Sequence, residues 1–232
     1  RIGFVAQELD VYNQALGDIS LWTPSSVTVT GFDGLLNTGA DGSIFLTAEN
    51  LVSSPTITVD NGAAGADVLV QPSGLGVAKL VAIGPLANIA VNDGIQTDEG
   101  DLLLWADNDI TGGVDVSLYA ADADIEIYAN HDSLTDDDGS IRFEATQPSD
   151  VAIVAGGAGT VTFWLSDCDG YINGSIGEAA DVIKRGTGAL RLNGTASDDL
   201  WETSIYEGTL LVNAPLTETG SGVSTGIVFV HS

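Results

Sequence analysis

The stretch SDCDGYINGS, residues 166–175, places acidic and amide side chains at the spacing of a calcium-binding loop. Asp167, Asp169 and Asn173, with Gly170 at the bend, match the D-x-D-G-x-I-N centre of such a loop, in which carboxylates at alternate positions wrap one cation. The ends depart from the motif, because a leucine and an isoleucine occupy the first and twelfth ligand positions. The stretch therefore predicts either an acidic turn or a calcium site at Asp167, Asp169 and Asn173.

Two other acidic stretches carry weaker cation-binding patterns. In TDDDGS, residues 135–140, a loop could gather two carboxylates, Asp136 and Asp138, around one ion, although a solvated loop is the simpler interpretation. The stretch ADNDITG places Asp107 and Asp109 at ligand positions of a calcium-binding loop, but a leucine occupies the twelfth position of that loop. Calcium is the only metal that these patterns suggest, and no organic cofactor is predicted.

Catalytic arrangements find little support in the chain. Glycosidases use two carboxylates at a set separation, and a chain with 33 acidic residues contains such pairs by accident. Polysaccharide lyases built on β-helices usually need basic residues, which six scattered Lys and Arg supply badly. His131 and His231 are the only histidines, and no G-x-S-x-G stretch accompanies them. We predict no catalytic residue and keep a carbohydrate-active enzyme as the alternative.

The charge balance limits the partners of this protein. The formal net charge is −27, so nucleic acid and anionic lipid should repel the chain. Hydrophobic residues make up 44%, which is enough to build a core. No run approaches the ~20 apolar residues of a membrane span, so no membrane insertion is predicted. Cys168 is the only cysteine; it excludes an internal disulfide framework and is expected to be a buried structural residue.

The elements that position these residues are predicted to be short strands. From residue 17 onward, apolar and polar residues alternate in runs closed by Gly, Asn, Asp, Pro or Ser. Asp122, Asp124 and Glu126 should share the solvent face of one such strand, because Ile125 and Ile127 take the other face. Residues 1–16 fit either a strand followed by a turn or a capping helix, and the alternation at Leu9 and Val11 favours the strand.

Imperfect repeats favour a coiled over a sandwiched arrangement of these strands. GDISLW at 17–22 recurs as GDLLLW at 100–105, and GSIFLTAE at 42–49 recurs as GSIRFEAT at 139–146. About fifteen runs exceed the seven to nine strands of a typical sandwich. We predict a single parallel β-helix domain over residues 1–232, with a β-sandwich as the alternative. Residues 1–16 and 223–232 are expected to cap the ends or to exchange strands with a neighbouring molecule.

The segment VIKRGTGALRLNG, followed by IYEGTLLVN, carries the most specific motif in the chain. Its pattern of Lys, Gly and Leu over residues 182–213 resembles the autotransporter-associated β-strand repeat of secreted bacterial passenger domains. The spacer over residues 197–207 departs from the family pattern. The resemblance implies a right-handed β-helix. By alternation, Leu190 and Leu192 should face inward with Arg191 outward, and together with Leu210 and Val212 they should form the apolar layer of one turn, while Leu211 faces outward.

Each of the four tryptophans lies near the end of an alternating run of apolar and polar residues. Trp22, Trp105, Trp164 and Trp201 could stack as a ladder or line a sugar-binding face, although packing in the core or at corners is the more common fate.

Together these features predict a non-catalytic structural or adhesive segment of a secreted bacterial surface protein, located outside the cell or on its surface. The expected partners are further copies of the chain, joined end to end in a filament, or surface glycans and other cell-surface ligands. A carbohydrate-active enzyme and a calcium-dependent binding module are the alternatives.

Overall fold

The computed structural model describes residues 2–3, 7–31, 34–62, 68–113, 116–130, 139–144, 151–177, 181–193, 202–212 and 227–230. These residues form 26 β-strands and no helix, so none of them belongs to a helix long and apolar enough to cross a membrane. The strands stack in three parallel sheets, and the fold is a right-handed parallel β-helix. The predicted β-helix is confirmed, and the β-sandwich is wrong because sandwich strands pair in antiparallel fashion.

Sheet A is the longest of the three sheets in the described part of the chain. Its strands, in spatial order, are β1 (Ile2–Gly3), β4 (Ile19–Thr23), β7 (Ile44–Glu49), β10 (Ala78–Ile83), β13 (Leu102–Ala106), β16 (Ile125–Ala129), β19 (Thr160–Leu165), β22 (Asp181–Arg185), β24 (Glu202–Ile205) and β26 (Ile227–Val230). At about 4.8 Å per strand, these ten strands extend over roughly 43 Å.

Sheets B and C form the other two sides of the coil. Sheet B contains β2 (Glu8–Leu9), β5 (Val27–Val29), β8 (Thr56–Val59), β11 (Asn88–Val91), β14 (Ile110–Gly112), β17 (Ser140–Glu144), β20 (Asp169–Asn173), β23 (Ala189–Leu192) and β25 (Thr209–Val212). Sheet C contains β3 (Val11–Asn13), β6 (Leu35–Asn37), β9 (Val68–Gln71), β12 (Gly94–Thr97), β15 (Val116–Ala120), β18 (Val151–Ala155) and β21 (Ser175–Gly177).

The core follows directly from the alternation in the sequence. Side chains of a strand point to opposite faces in turn, so every second residue faces the interior of the coil. In β4, β13 and β15 the buried positions alternate strictly with half-exposed ones. Equivalent inward residues of sheet A stack rung upon rung in one column: Leu21, Leu46, Leu80, Leu104, Ile127, Phe163 and Lys184. All of these are buried.

Rung length varies widely, which explains why the sequence repeats are faint. Val161 pairs with Val182, a repeat of 21 residues, whereas Ile125 pairs with Val161, a repeat of 36 residues. GDISLW and GDLLLW contribute β4 and β13 of sheet A, so that repeat is confirmed. The second repeat is misleading, because GSIFLTAE forms β7 of sheet A and GSIRFEAT forms β17 of sheet B.

The described parts of both predicted end segments belong to this chain's own sheets. Residues 8–9 and 11–13 form β2 and β3, so the strand prediction for the first segment is confirmed and the helix is wrong there. Of residues 223–232, the structure describes only β26, which pairs with β24. Each of the two outermost strands of sheet A, β1 and β26, has a single described neighbour.

The autotransporter-like segment occupies two successive rungs. Leu190 is buried and Arg191 exposed, as predicted, and Leu211 is exposed. However, β23 pairs with β25 so that Leu190 stacks on Leu210. The prediction that these leucines form one layer of a single turn is therefore wrong: they lie in neighbouring layers, one above the other.

Candidate functional site

Asp167 and Asp169 lie at the corner between sheets A and B, where each bonds to the next rung. Asp167 has a left-handed backbone, with φ of 58°, and its carboxylate accepts a hydrogen bond from the Thr187 hydroxyl. Asp169 Oδ1 accepts a hydrogen bond from the Ala189 N–H at 3.0 Å. Both residues are exposed, but each carboxylate already has a partner on the rung that follows.

Asn173 lies at the far end of β20 from Asp169. At about 3.3 Å per residue, the extended strand separates the two residues by roughly 13 Å. Leu165 and Ile176, which occupy the first and twelfth positions of the motif, are buried core residues. The structure thus brings Asp167 and Asp169 near one corner but does not curl the stretch into a loop that includes Asn173. Calcium binding at the corner itself stays a prediction.

Two other predicted cation-binding residues, Asp136 and Asp138, lie outside the described residues. The two histidines, His131 and His231, also lie outside them. Within the residues that are described, no group of three or more His, Cys, Asp or Glu could hold a metal ion.

Asp107 and Asp109 belong to the described residues, and the side chains of both accept hydrogen bonds. Asp107 Oδ2 accepts a hydrogen bond from the Gly84 N–H at 2.8 Å, and Asp109 Oδ1 accepts one from the Ser140 hydroxyl at 2.7 Å. Both bonds join neighbouring rungs.

A row of side-chain acceptors also follows the corner that precedes sheet A. Asp18 Oδ1 accepts a hydrogen bond from the Ser43 N–H at 2.9 Å, and Asp101 Oδ1 accepts one from the Asp124 N–H at 3.2 Å. Asp124 Oδ1 in turn accepts from the Thr160 N–H at 2.8 Å. Corner carboxylates thus satisfy backbone donors of the following rung, which strand pairing would otherwise leave to water. Their sequence pattern, Asp just before an alternating run, could have identified them.

Asn37 forms a buried polar site with several hydrogen bonds. It is fully buried at the corner between sheets C and A. Its amide N–H groups donate to the carbonyl oxygens of Gly17 at 3.0 Å and Ser43 at 3.2 Å, while its Oδ1 accepts from the Gly39 N–H and from Asn13 Nδ2, both at 3.2 Å. One side chain therefore joins two rungs and the intervening loop.

Lys184, the lysine of the autotransporter-like motif, is completely buried. It occupies the core column between Phe163 and Ile205. Its ammonium group donates hydrogen bonds to three backbone carbonyl oxygens: Arg185 at 2.9 Å, Gly186 at 2.5 Å and Glu207 at 3.3 Å. Burial lowers the pKa of this ammonium from 10.5 to about 8. The lysine therefore acts as an internal cation that ties two corners together.

Cys168 lies close to this lysine at the same corner. It is buried, as predicted, and burial raises the pKa of its thiol from 9.0 to about 12, while the charge of Lys184 opposes the shift. A thiol is a poor nucleophile when it is protonated and enclosed, so the structure gives Cys168 the properties of a packing residue.

Three of the four tryptophans lie in one register column on the outer face of sheet A, and Trp201 lies outside the described residues. Trp105 and Tyr128 meet edge to face at 5.7 Å, and Tyr128 stacks on Trp164 at 5.2 Å. Lys79 Nζ lies 4.7 Å from the centre of the Trp105 ring, and Arg185 lies over the Trp164 ring at 4.9 Å. A ladder forms only in part, because Tyr128 joins Trp105 to Trp164, and these tryptophans lie on the outer face of the sheet and not in the core.

Arg185 extends this ladder by one more rung, because its guanidinium also lies 4.3 Å from the centre of the Tyr206 ring. Trp22 belongs to the same column but is separated from Trp105 by Thr47 and Val81. Trp22 Nε1 donates a hydrogen bond to Glu49 at 3.1 Å.

Comparison of the chain with models of known protein families, with curated proteins and with solved structures finds no match. The autotransporter-like motif of residues 182–213 is therefore a resemblance of pattern, carried by the residues already described.

Proposed function

We propose that this protein is a non-catalytic structural or adhesive segment of a secreted bacterial surface protein, and that it works outside the cell or on its surface. The observation that carries the proposal is the use of corner carboxylates as acceptors for backbone N–H groups of the next rung, as at Asp18, Asp101 and Asp124. Side chains that could have supplied catalysis instead join one rung to the next.

The aromatic ladder supports the same proposal. Sugar rings bind aromatic side chains by lying on their faces. In this ladder one face of Trp164 packs against Tyr128, and Arg185 also lies over the Trp164 ring. Lys79 covers Trp105 in the same way. These contacts stabilise the stack of rungs, since aromatic pairs and cation–π pairs each contribute about 0.5–1.5 kcal/mol.

The extracellular location rests on the resemblance of residues 182–213 to repeats of secreted passenger domains and on the acidic surface. In this proposal the copies join end to end, with β26 of one molecule beside β1 of the next. Edge strands of a sheet present backbone donors and acceptors that another strand can pair with.

Electron microscopy tests the end-to-end arrangement. Deletion of residues 1–9 should abolish filaments while the β-rich circular dichroism spectrum of the body is retained. A control with Leu51→Ser and Val52→Ser removes exposed apolar side chains from a corner loop and should leave filaments unchanged. A full-length chain that stays monomeric by light scattering at high concentration would contradict end-to-end assembly.

A second experiment distinguishes this proposal from a carbohydrate-active enzyme. The chain is incubated with a panel of acidic and neutral polysaccharides, and new reducing ends or unsaturated sugars are measured. No release above a heat-denatured control is expected. Reproducible release would replace the structural proposal with an enzymatic one.

A further inference from the structure

The outer face of sheet A carries few charged side chains, and those few are of both signs. In its two central columns the charged side chains are Lys79, Glu126 and Arg185, two cations and one anion, in a chain whose net charge is −27. The other outward residues of these columns, from β4 to β22, include Trp22, Val81, Leu103, Trp105 and Tyr128. This set is called the sheet A face below.

The sheet A face is a surface on which two copies of the chain can meet without strong charge repulsion. Two molecules that each carry −27 repel one another over most of their surfaces, and contact is favoured where the local charge is balanced and the side chains are apolar. Lys79 is held on this face, because its ammonium lies over the ring of Trp105. Leu103 and Trp105 on the neighbouring rung are only half-buried within one copy.

The register of the strands makes the face complementary to itself. Along one column Lys79, Leu103 and Glu126 occupy three consecutive rungs. A two-fold axis parallel to the strands at the level of Leu103 places each Leu103 opposite its copy. The same rotation places the Lys79 position of each copy opposite the other copy's Glu126, and the pairing requires the Lys79 ammonium to leave the Trp105 ring.

The second column fits the same axis. Trp105 then lies opposite its copy, and Val81 lies opposite Tyr128, so apolar side chains face one another. Arg185 lies opposite Trp22, whose indole N–H is bonded to Glu49. An isologous interface requires this kind of self-complementarity.

We propose that two copies of this chain associate side by side through the sheet A face, antiparallel in the direction of the solenoid axis, with two symmetric Lys79–Glu126 pairs. The face measures about 30 Å by 15 Å, so the contact involves roughly 900 Å² of flat area from both copies. This size predicts a concentration-dependent dimer rather than a permanent one. The contact is lateral and does not depend on end-to-end assembly.

Charge reversal tests the pairing of Lys79 with Glu126. Sedimentation equilibrium on the full chain should give a dimer Kd that rises about tenfold or more for Lys79→Glu, because both symmetric pairs become repulsive. Glu126→Lys should weaken the dimer similarly, although it lowers the net negative charge. The double variant Lys79→Glu with Glu126→Lys should restore the original Kd.

Arg191→Glu is the matched control, because it makes the same charge change as Lys79→Glu on the exposed outer face of sheet B. It should leave the dimer Kd within about twofold of the original. Circular dichroism and melting temperature establish that each variant is folded.

Cross-linking tests the position of the two-fold axis. Facing sheets are about 10 Å apart, which is too far for a direct disulfide but suits a short bifunctional maleimide. In a Cys168→Ala background, Leu103→Cys should give cross-linked dimers. Thr111→Cys, on the same rung but on sheet B, should give none.

Several outcomes would overturn the proposal: a chain that is monomeric at every concentration reached, a dimer insensitive to Lys79→Glu, or a double variant that fails to recover. If filaments form while these lateral tests fail, only the sheet A proposal falls. If the lateral dimer forms without filaments, only the end-to-end arrangement falls.

Discussion

The buried charge of Lys184 predicts an unusual dependence of stability on pH. The ammonium has a pKa of about 8 in the folded chain, against 10.5 for an ordinary lysine, because burial disfavours the charged form. Below pH 8 both folded and unfolded chains carry the proton, so the full cost of burying the charge is present. Between pH 8 and pH 10.5 the unfolded chain binds more protons than the folded one, and stability therefore rises with pH.

The size of this rise in stability follows from the pKa shift of Lys184. Each pKa unit corresponds to about 1.36 kcal/mol, so the Lys184 contribution should increase the free energy of unfolding by about 3 kcal/mol between pH 7 and pH 10.5. Cys168 acts in the opposite direction above pH 9, because its raised pKa of about 12 makes the unfolded chain the better acid. The measurement is therefore made in a Cys168→Ala background.

The assay compares urea unfolding of this parent with its Lys184→Met derivative at several pH values. Methionine keeps the apolar stem and removes the charge. The difference in unfolding free energy at a single pH also contains the loss of three hydrogen bonds to backbone carbonyls. Only its change with pH isolates the buried charge. The Cys168→Ala background removes an interaction that raises the Lys184 pKa, so the parent should gain about 3 kcal/mol or more relative to Lys184→Met over this range.

Arg191→Met, in the same background, controls for the loss of one positive charge from an exposed site. Its unfolding free energy should run parallel to that of the parent. If the curve for Lys184→Met also ran parallel to the parent within about 0.5 kcal/mol, the lysine would not be buried as a charged group and the reasoning would fail.

Four further predictions test other features. Gly188→Ala should lower the free energy of unfolding by about 3 kcal/mol or more in urea melts, because a Cβ there would lie 1.6 Å from the carbonyl oxygen of Cys168. In the control Gly113→Ala, the nearest atom to the new Cβ among the described residues is 3.8 Å away, so the free energy of unfolding should change by less than about 0.5 kcal/mol. Asn37→Ala should cost about 2–4 kcal/mol by the same assay, since it removes the partner of the buried Gly39 N–H and of the carbonyl groups of Gly17 and Ser43. Thr97→Val should raise stability by about 1 kcal/mol and the melting temperature by about 2–4 °C, because the buried Thr97 hydroxyl has no hydrogen-bond partner among the described residues; a lower melting temperature would contradict this. The melting temperature should rise with sodium chloride, because screening relieves the repulsion of 33 acidic residues. If an acidic turn binds calcium specifically, calcium should raise the melting temperature more than magnesium does at equal ionic strength. Equal melting curves for the two divalent ions would mean that general screening is the whole effect.

The sequence by itself determined the fold class and the two faces of most strands. Alternation has a period of two residues and is a local property of an extended chain, so Ile125, Glu126 and Ile127 could be assigned to their faces without any knowledge of neighbouring strands. The same alternation in VIKRG places Lys184 on the face of the buried Val182. That signal could have identified the lysine as a core residue.

The tertiary structure alone decided which residues meet between rungs. Rungs of 19 to 36 residues differ in their corner loops, so equal spacing in the sequence does not mean equal position in the coil. This is why Trp105, Tyr128 and Trp164 stack although they are 23 and 36 residues apart. Asp169 and Asn173 are separated for a different reason, since residues 169–173 form the extended strand β20 and not a loop around one ion. Contacts along the axis depend on the length of chain stored in each corner, and no local pattern of side chains encodes that length.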